Sequence, residues 1–115
     1  MDCLFCKIIN GEIPSNKVYE DDMVYAFHDI SPIAPVHFLV IPKQHISGAA
    51  AVTPENSAVI AHIFEVIAKV TKEMGLEGGY RVITNNGDDA GQTVKHLHFH
   101  VIGGKQLGWS AAQGD

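Results

Sequence analysis

Val59, Ile60, Ile63, Phe64, Ile67, Val70 and Met74 recur three and four residues apart, a spacing that gathers them on one face of an α-helix. No other stretch constrains the fold as strongly. Thr53 reads as the N-cap of this helix, Pro54 as its first helical residue, with Glu55 near the positive end. Gly75 supplies the stop. An apolar stripe of this kind is expected to pack on a sheet rather than hold a cofactor, so the remaining elements should be strands.

Strand signals lie on both sides of it. Residues 18–20 and 23–28 read as two short strands around Asp21-Asp22, and residues 36–41 as a third, closed by Pro42, which cannot donate to a ladder. After the helix, residues 80–84 and 94–102 read as strands separated by a polar, glycine-rich loop, residues 85–91. Residues 3–9 make a helical turn or two before Gly11 and Pro14 break them. Strands, a long helix and strands again imply an α+β fold with an antiparallel sheet. At 115 residues the chain suits one domain, residues 1–115, with residues 103–115 as a tail whose packing residues are Leu107 and Trp109.

Charge narrows the function. Eight Lys and Arg stand against 13 Asp and Glu, a formal charge of −5, and the basic residues are scattered. That argues against a nucleic-acid or membrane-surface binder, yet a small anion can still be held by backbone N–H groups. With no basic segment leading into an apolar one at the start, and no run of about 18 apolar residues, a cytoplasmic location is expected.

Three of the seven histidines fall within five positions, His96-Leu97-His98-Phe99-His100. In a strand they share one face while Leu97, Phe99 and Val101 enter the core. At about 3.3 Å per residue, His96 and His100 would lie about 13 Å apart, too far to share a metal, so the three divide their labour. A neutral imidazole attacks phosphorus without first losing a proton. The loop just upstream, with Gly87 and Gly91, allows close backbone approach, and the N–H groups of residues 91–93 are candidates to cradle an anion. His28 and His62 read as ordinary residues.

Together these segments resemble the histidine-triad (HIT) family, in its nucleotide-binding branch. The resemblance rests on HLHFHVI, FHDISPIAPVHFLVIPKQHIS, NNGDDAGQTVKHLHFHV and GGKQLGW. It implies a HIT-like fold, a homodimer, and hydrolysis of purine nucleoside 5′-phosphoramidates to AMP or GMP. By motif position His98 is similar to the family nucleophile, with His100 on the phosphate and His37 in support. Asp29 matches the residue that holds the ribose hydroxyls. Phe27, Ile30 and Leu39 match the base-binding walls, joined by Phe5 and Ile8. Asn85, Gly91, Gln92 and Thr93 match the phosphate loop, Thr93 standing where close relatives carry serine, and Trp109 resembles a tail residue that reaches the partner subunit's site.

Cys3-Leu4-Phe5-Cys6 admits three readings: ordinary cysteines, a redox pair, or half of a Cys2His2 zinc site. The resemblance implies the last, a structural zinc on Cys3, Cys6, His45 and His96, with no metal needed for catalysis. Other functions compatible with the same histidines are dinucleoside polyphosphate hydrolysis, nucleotidyl transfer, nucleotide binding with little turnover, and zinc-dependent hydrolysis.

Overall fold

The computed structural model describes residues 3–108. Its elements in chain order are α1 (Leu4–Ile9), β1 (Lys17–Glu20), β2 (Val24–His28), β3 (Val36–Pro42), α2 (Ala58–Glu73), β4 (Tyr80–Ile83) and β5 (Phe99–Gly103), with short 3-10 turns at Ala49–Ala51 and Asp88–Ala90. The strands form one antiparallel sheet in the order β1-β2-β3-β5-β4. This is the expected α+β arrangement, with α2 as its main helix. Among the described residues no helix is long and apolar enough to cross a membrane.

Strand alternation gives the sheet two different faces. Val24, Ala26, Phe38, Val40, Phe99 and Val101 pack against Val59, Ile63, Val66, Ile67 and Val70 of α2. Tyr25, Phe27, Leu39 and Ile41 turn the other way, onto Phe5 and Ile8 of α1. The histidines of β3 and β5 belong to this second face, because His37 and His100 keep the parity of Leu39 and Ile102. The long helix therefore supports the site from behind.

Most boundaries fall within one residue of the sequence reading, and the starts of α2 and β5 differ by more. Helix α2 begins at Ala58 with Ser57 as its cap, and Thr53-Pro54 instead opens a separate turn. There the Asn56 side chain accepts the Thr53 N–H at 2.8 Å and donates to the Ala51 carbonyl, a local bonding scheme that competes with helix. Phe64, read as part of the buried stripe, is 48% exposed and meets Phe99 edge-on at its rim, while Val66 is buried in the core.

Strand β5 starts at Phe99, not at residue 94, and Pro42 explains why. The β3–β5 register pairs Val40 with Phe99, so continuing it sets Leu97 opposite Pro42, which has no N–H to offer. The chain leaves the ladder there, and the Leu97 N–H goes to the Ile46 carbonyl at 2.6 Å. At its other end β5 takes in Gly103, the residue with which the tail was expected to begin. The C-terminus of α2 matches the reading: Gly75 has φ +77°, and its N–H and that of Leu76 close on the Lys72 and Thr71 carbonyls.

Candidate active site

On the α1 side of the sheet lies a cavity of about 290 Å³. Its walls include Phe5, Ile8, Phe27, Ile30 and Leu39, and its polar lining is Asp29, Asn85, Thr93, His98 and His100, with Gly91 at the loop. These residues come from α1, β2, β3, the 85–93 loop and β5, so their meeting is a product of the fold. Ile30 is 95% exposed and stands at the mouth. A larger cleft of about 470 Å³, between residues 75–81 and 104–107, is lined by four glycines with Leu76, Tyr80, Arg81, Lys105, Gln106 and Leu107, and among the described residues no histidine or carboxylate lines it.

Backbone groups assign the proton on each ring. The His98 Nδ1 lies 2.7 Å from the His96 carbonyl oxygen, which only accepts, so Nδ1 carries the hydrogen and the lone pair sits on Nε2. The Ile33 N–H donates to His37 Nδ1 at 3.2 Å, so the His37 proton is on Nε2. That proton goes to His100 Nδ1, 3.0 Å away, which leaves the His100 hydrogen on Nε2. Asp29 Oδ2 stands 3.5 Å from His37 Nε2, while Oδ1 accepts the Ser31 N–H at 2.7 Å. Asp29, His37 and His100 offer donor atoms within 4.8 Å of one another, but the Ile33 bond commits His37 to a hydrogen-bond relay rather than to metal ligation through Nε2.

The loop expected to cradle phosphate has an internal bonding scheme of its own. The N–H groups of Gly91 and Gln92 are spent inside it, on the Asp88 and Gly87 carbonyls. The Gln92 side chain is buried, accepting the Gly87 N–H at 2.8 Å and donating to the Ser47 and Val94 carbonyls. Gln92 is thus the keystone of the loop. Among the described residues Thr93 retains both its N–H and its hydroxyl for a ligand, and Asn85 lines the cavity beside it. Gly91, with φ +77°, makes the turn that presents Thr93. Two supports were not anticipated from the sequence. Thr84 Oγ1 donates to the His98 carbonyl at 2.8 Å, and Lys95 Nζ bridges Asp88 and the Gln92 carbonyl. Trp109 lies outside the described residues.

Beside the cavity, on the same α1 side of the sheet, Cys3, Cys6, His45 and His96 form a second cluster, all four donor atoms lying within 4.8 Å of one another. Cys3 Sγ is 3.4 Å and Cys6 Sγ 3.6 Å from His96 Nδ1, Cys6 Sγ is 3.5 Å from His45 Nδ1, and the two Nδ1 atoms are 3.2 Å apart. A tetrahedral zinc, bound at about 2.3 Å to sulfur and about 2.0–2.1 Å to nitrogen, spaces its ligand atoms about 3.3–3.8 Å apart. The match extends to the tautomer. His96 Nε2–H donates to the Pro42 carbonyl at 2.8 Å, turning the Nδ1 lone pair toward the sulfurs. Burial holds the His96 ring below the ordinary histidine range, with His45 and His98 acting in the same direction. Burial, reinforced by Cys3, pushes the Cys6 thiol up to about 11, which disfavours the thiolate unless a cation stands beside it. Neither cysteine is in a disulfide.

With the sheet, the cavity and the three alternating histidines in place, comparison with known proteins assigns the class. The HIT domain profile matches residues 10–107, and the chain belongs to that family. Among its relatives is a 14 kDa zinc-binding protein of Zea mays, 44% identical over 108 residues, which cover 92% of this chain and 84% of that one. A histidine triad protein from Clostridium difficile superposes with a TM-score of 0.92 at 52% identity, covering 96% of each chain. A HIT family hydrolase from Clostridium thermocellum superposes at 0.91 and 47% identity, covering 95% of this chain and 96% of its own.

Proposed function

We propose that this chain hydrolyses the P–N bond of purine nucleoside 5′-phosphoramidates, with His98 as nucleophile. The observation that carries the reading is the His98 Nδ1–H donated to the His96 carbonyl, which leaves an Nε2 lone pair on a ring that lines a cavity with apolar walls and one carboxylate. The name of the Clostridium thermocellum neighbour, a hydrolase, supports the reaction type.

The base lies between Phe27, Leu39, Ile30 and the α1 residues Phe5 and Ile8, and Asp29 accepts from the ribose hydroxyls. His98 Nε2 attacks phosphorus in line with the departing nitrogen. As the P–N bond breaks, the charge on the phosphoryl oxygens is met by His100 Nε2–H and by the Thr93 N–H and hydroxyl. The leaving nitrogen takes a proton from solvent and departs as the amine, and His98 holds the nucleotidyl group through a P–N bond of its own. Water then cleaves that bond, releasing AMP or GMP and restoring the imidazole.

Cys3, Cys6, His45 and His96 are the ligands of a structural zinc in this reading, which the donor spacing and the Zea mays relative support. Bound there, zinc supplies a four-point tether with no open position for substrate or water. Metal analysis of protein purified without chelator should find close to one zinc per chain, and a metal-free protein with both thiols titratable would rule the site out. The homodimer implied by the resemblance belongs to the same proposal. Its support is the position of β4 at the end of the sheet and the exposure of Phe64 and Tyr80.

The test is to incubate the protein with an adenosine 5′-phosphoramidate and, separately, with diadenosine tetraphosphate, beside His98→Ala. Phosphoramidate cleavage that disappears in the variant, with AMP binding retained, is the expected result. Preference for the dinucleotide moves the assignment to polyphosphate hydrolysis, and binding without turnover of either moves it to a nucleotide-binding role.

A further inference from the structure

Helix α1 is shared by two sites. Cys3, just before it, and Cys6, within it, turn their sulfurs to His45 and His96, while Leu4, Phe5 and Ile8 line the nucleotide cavity. Phe5 joins the two. Its ring meets His98 edge-on at 5.1 Å between centroids, His96 at 6.0 Å and Phe27 at 5.5 Å. His96 is a second link, contributing Nδ1 to the cluster and its carbonyl to the nucleophile. A six-residue helix does not hold its shape alone, since isolated helices are marginal below about 12–15 residues. What keeps Phe5 on His98 is therefore the burial of its apolar face and whatever ties down Cys3 and Cys6.

We infer that zinc in the Cys3–Cys6–His45–His96 cluster and a purine nucleotide in the cavity are thermodynamically coupled through α1, each tightening the other. The inference rests on the nucleotide reading given above. A metal that ties Cys3 and Cys6 to the sheet immobilises the residues on either side of Phe5. The cavity wall is then in place before the nucleotide arrives, and ordering α1 no longer opposes binding. Conversely, a nucleotide packed on Leu4, Phe5 and Ile8 holds α1 down with its sulfurs at the cluster. Because one coupling free energy governs both effects, the two factors must be equal.

Calorimetric titration of AMP into the zinc-loaded and chelator-stripped chain gives one factor. Competition for zinc against a chromophoric chelator, with and without saturating AMP, gives the other. AMP is expected to bind the loaded chain about fivefold or more tightly than the stripped one, and to raise zinc affinity by the same factor. Phe5→Ala, still carrying zinc, is expected to bring the factor near one. Equal AMP affinity in loaded chain and in stripped chain with an unchanged far-UV spectrum overturns the coupling while leaving the nucleotide site standing. If stripping unfolds the chain, the competition arm decides, and a zinc affinity indifferent to AMP overturns the inference. Full coupling in Phe5→Ala overturns α1 as the route. Failure of the loaded chain to bind AMP overturns the nucleotide reading and the coupling together.

Discussion

The Ile33 N–H donated to His37 Nδ1 at 3.2 Å sets the protonation of two rings, because the His37 proton it displaces to Nε2 determines which nitrogen of His100 is left to donate. His37 is a positioning residue in this scheme, acting on the phosphate only through His100. Replacing it with Phe removes the donor to His100 Nδ1 and lets that ring adopt the wrong tautomer. We expect kcat for phosphoramidate cleavage to fall about 100-fold or more, the range of a lost acid–base contribution, with AMP affinity changed far less. Steady-state kinetics beside calorimetric AMP binding checks the split, and a parallel loss of binding would assign His37 to the nucleotide contact itself. Residue identities here were legible in the sequence, since His37, Asp29, His98 and His100 all sit at motif positions. The function of Gln92 was not, because the motif shows that an amide is present and only the folded loop shows it turned inward onto Gly87, Ser47 and Val94.

Helix α2 and strand β5 show how far periodicity reaches. The buried face of α2 was readable from residue spacing, and its consequence is a contrast between neighbours. Ile63 is fully buried against the sheet, so Ile63→Ala should lose about 2–5 kcal/mol in chemical denaturation. Phe64, half exposed one residue away, should lose far less when truncated, as surface positions do. Comparable losses at both would mean that Phe64 is covered in solution. Strand β5 is where periodicity overreached. The His-x-His-x-His alternation predicts a strand from residue 94, and Leu97, Phe99 and Val101 do share the core against α2, but a ladder needs a donor opposite each acceptor. Pro42 offers none, and releasing residues 94–98 from the ladder is what allows the His96 ring to reach the Pro42 carbonyl and the cysteines.

Across the whole molecule, His62 fastens α2 to the β1–β2 turn. Its Nε2 lies 2.6 Å from Asp21 Oδ2, and Asp21 also accepts from the Met23 and Val24 N–H groups and the Tyr19 hydroxyl. Burial pushes the Asp21 carboxyl up, but those hydrogen bonds, that of His62 foremost, outweigh it and hold the group well below the usual carboxylate range. The hydrogen bond to Asp21 raises His62, outweighing the opposing effect of burial, and the hydrogen bond to Glu65 adds to the rise. A raised histidine stabilises fully below its unfolded pKa, about 6.5, and loses that contribution as pH rises through the folded value. A depressed carboxylate stabilises above its unfolded pKa, about 3.9, and loses its contribution as pH falls through the folded value. The pair therefore contributes most between about pH 4 and pH 6.5. Both groups are partly solvated, so about 1 kcal/mol or less is at stake. Unfolding free energies at pH 6 and pH 8.5 should differ more in the wild type than in His62→Gln, and identical slopes would show the pair to be inert.

The sequence by itself determined the fold class, the apolar face of α2, the family and the histidines on which the chemistry is argued, because helix and strand periods and motif spacings are local properties that a linear chain displays. Tertiary structure decided the rest. The His100 tautomer, the hold of Gln92 on Ser47, the early exit of residues 94–98 from the ladder and the meeting of Cys3 and Cys6 with His45 and His96 all join residues distant along the chain. Such contacts depend on strand register and on which backbone groups remain unpaired once the sheet has closed, and neither is a function of any one segment.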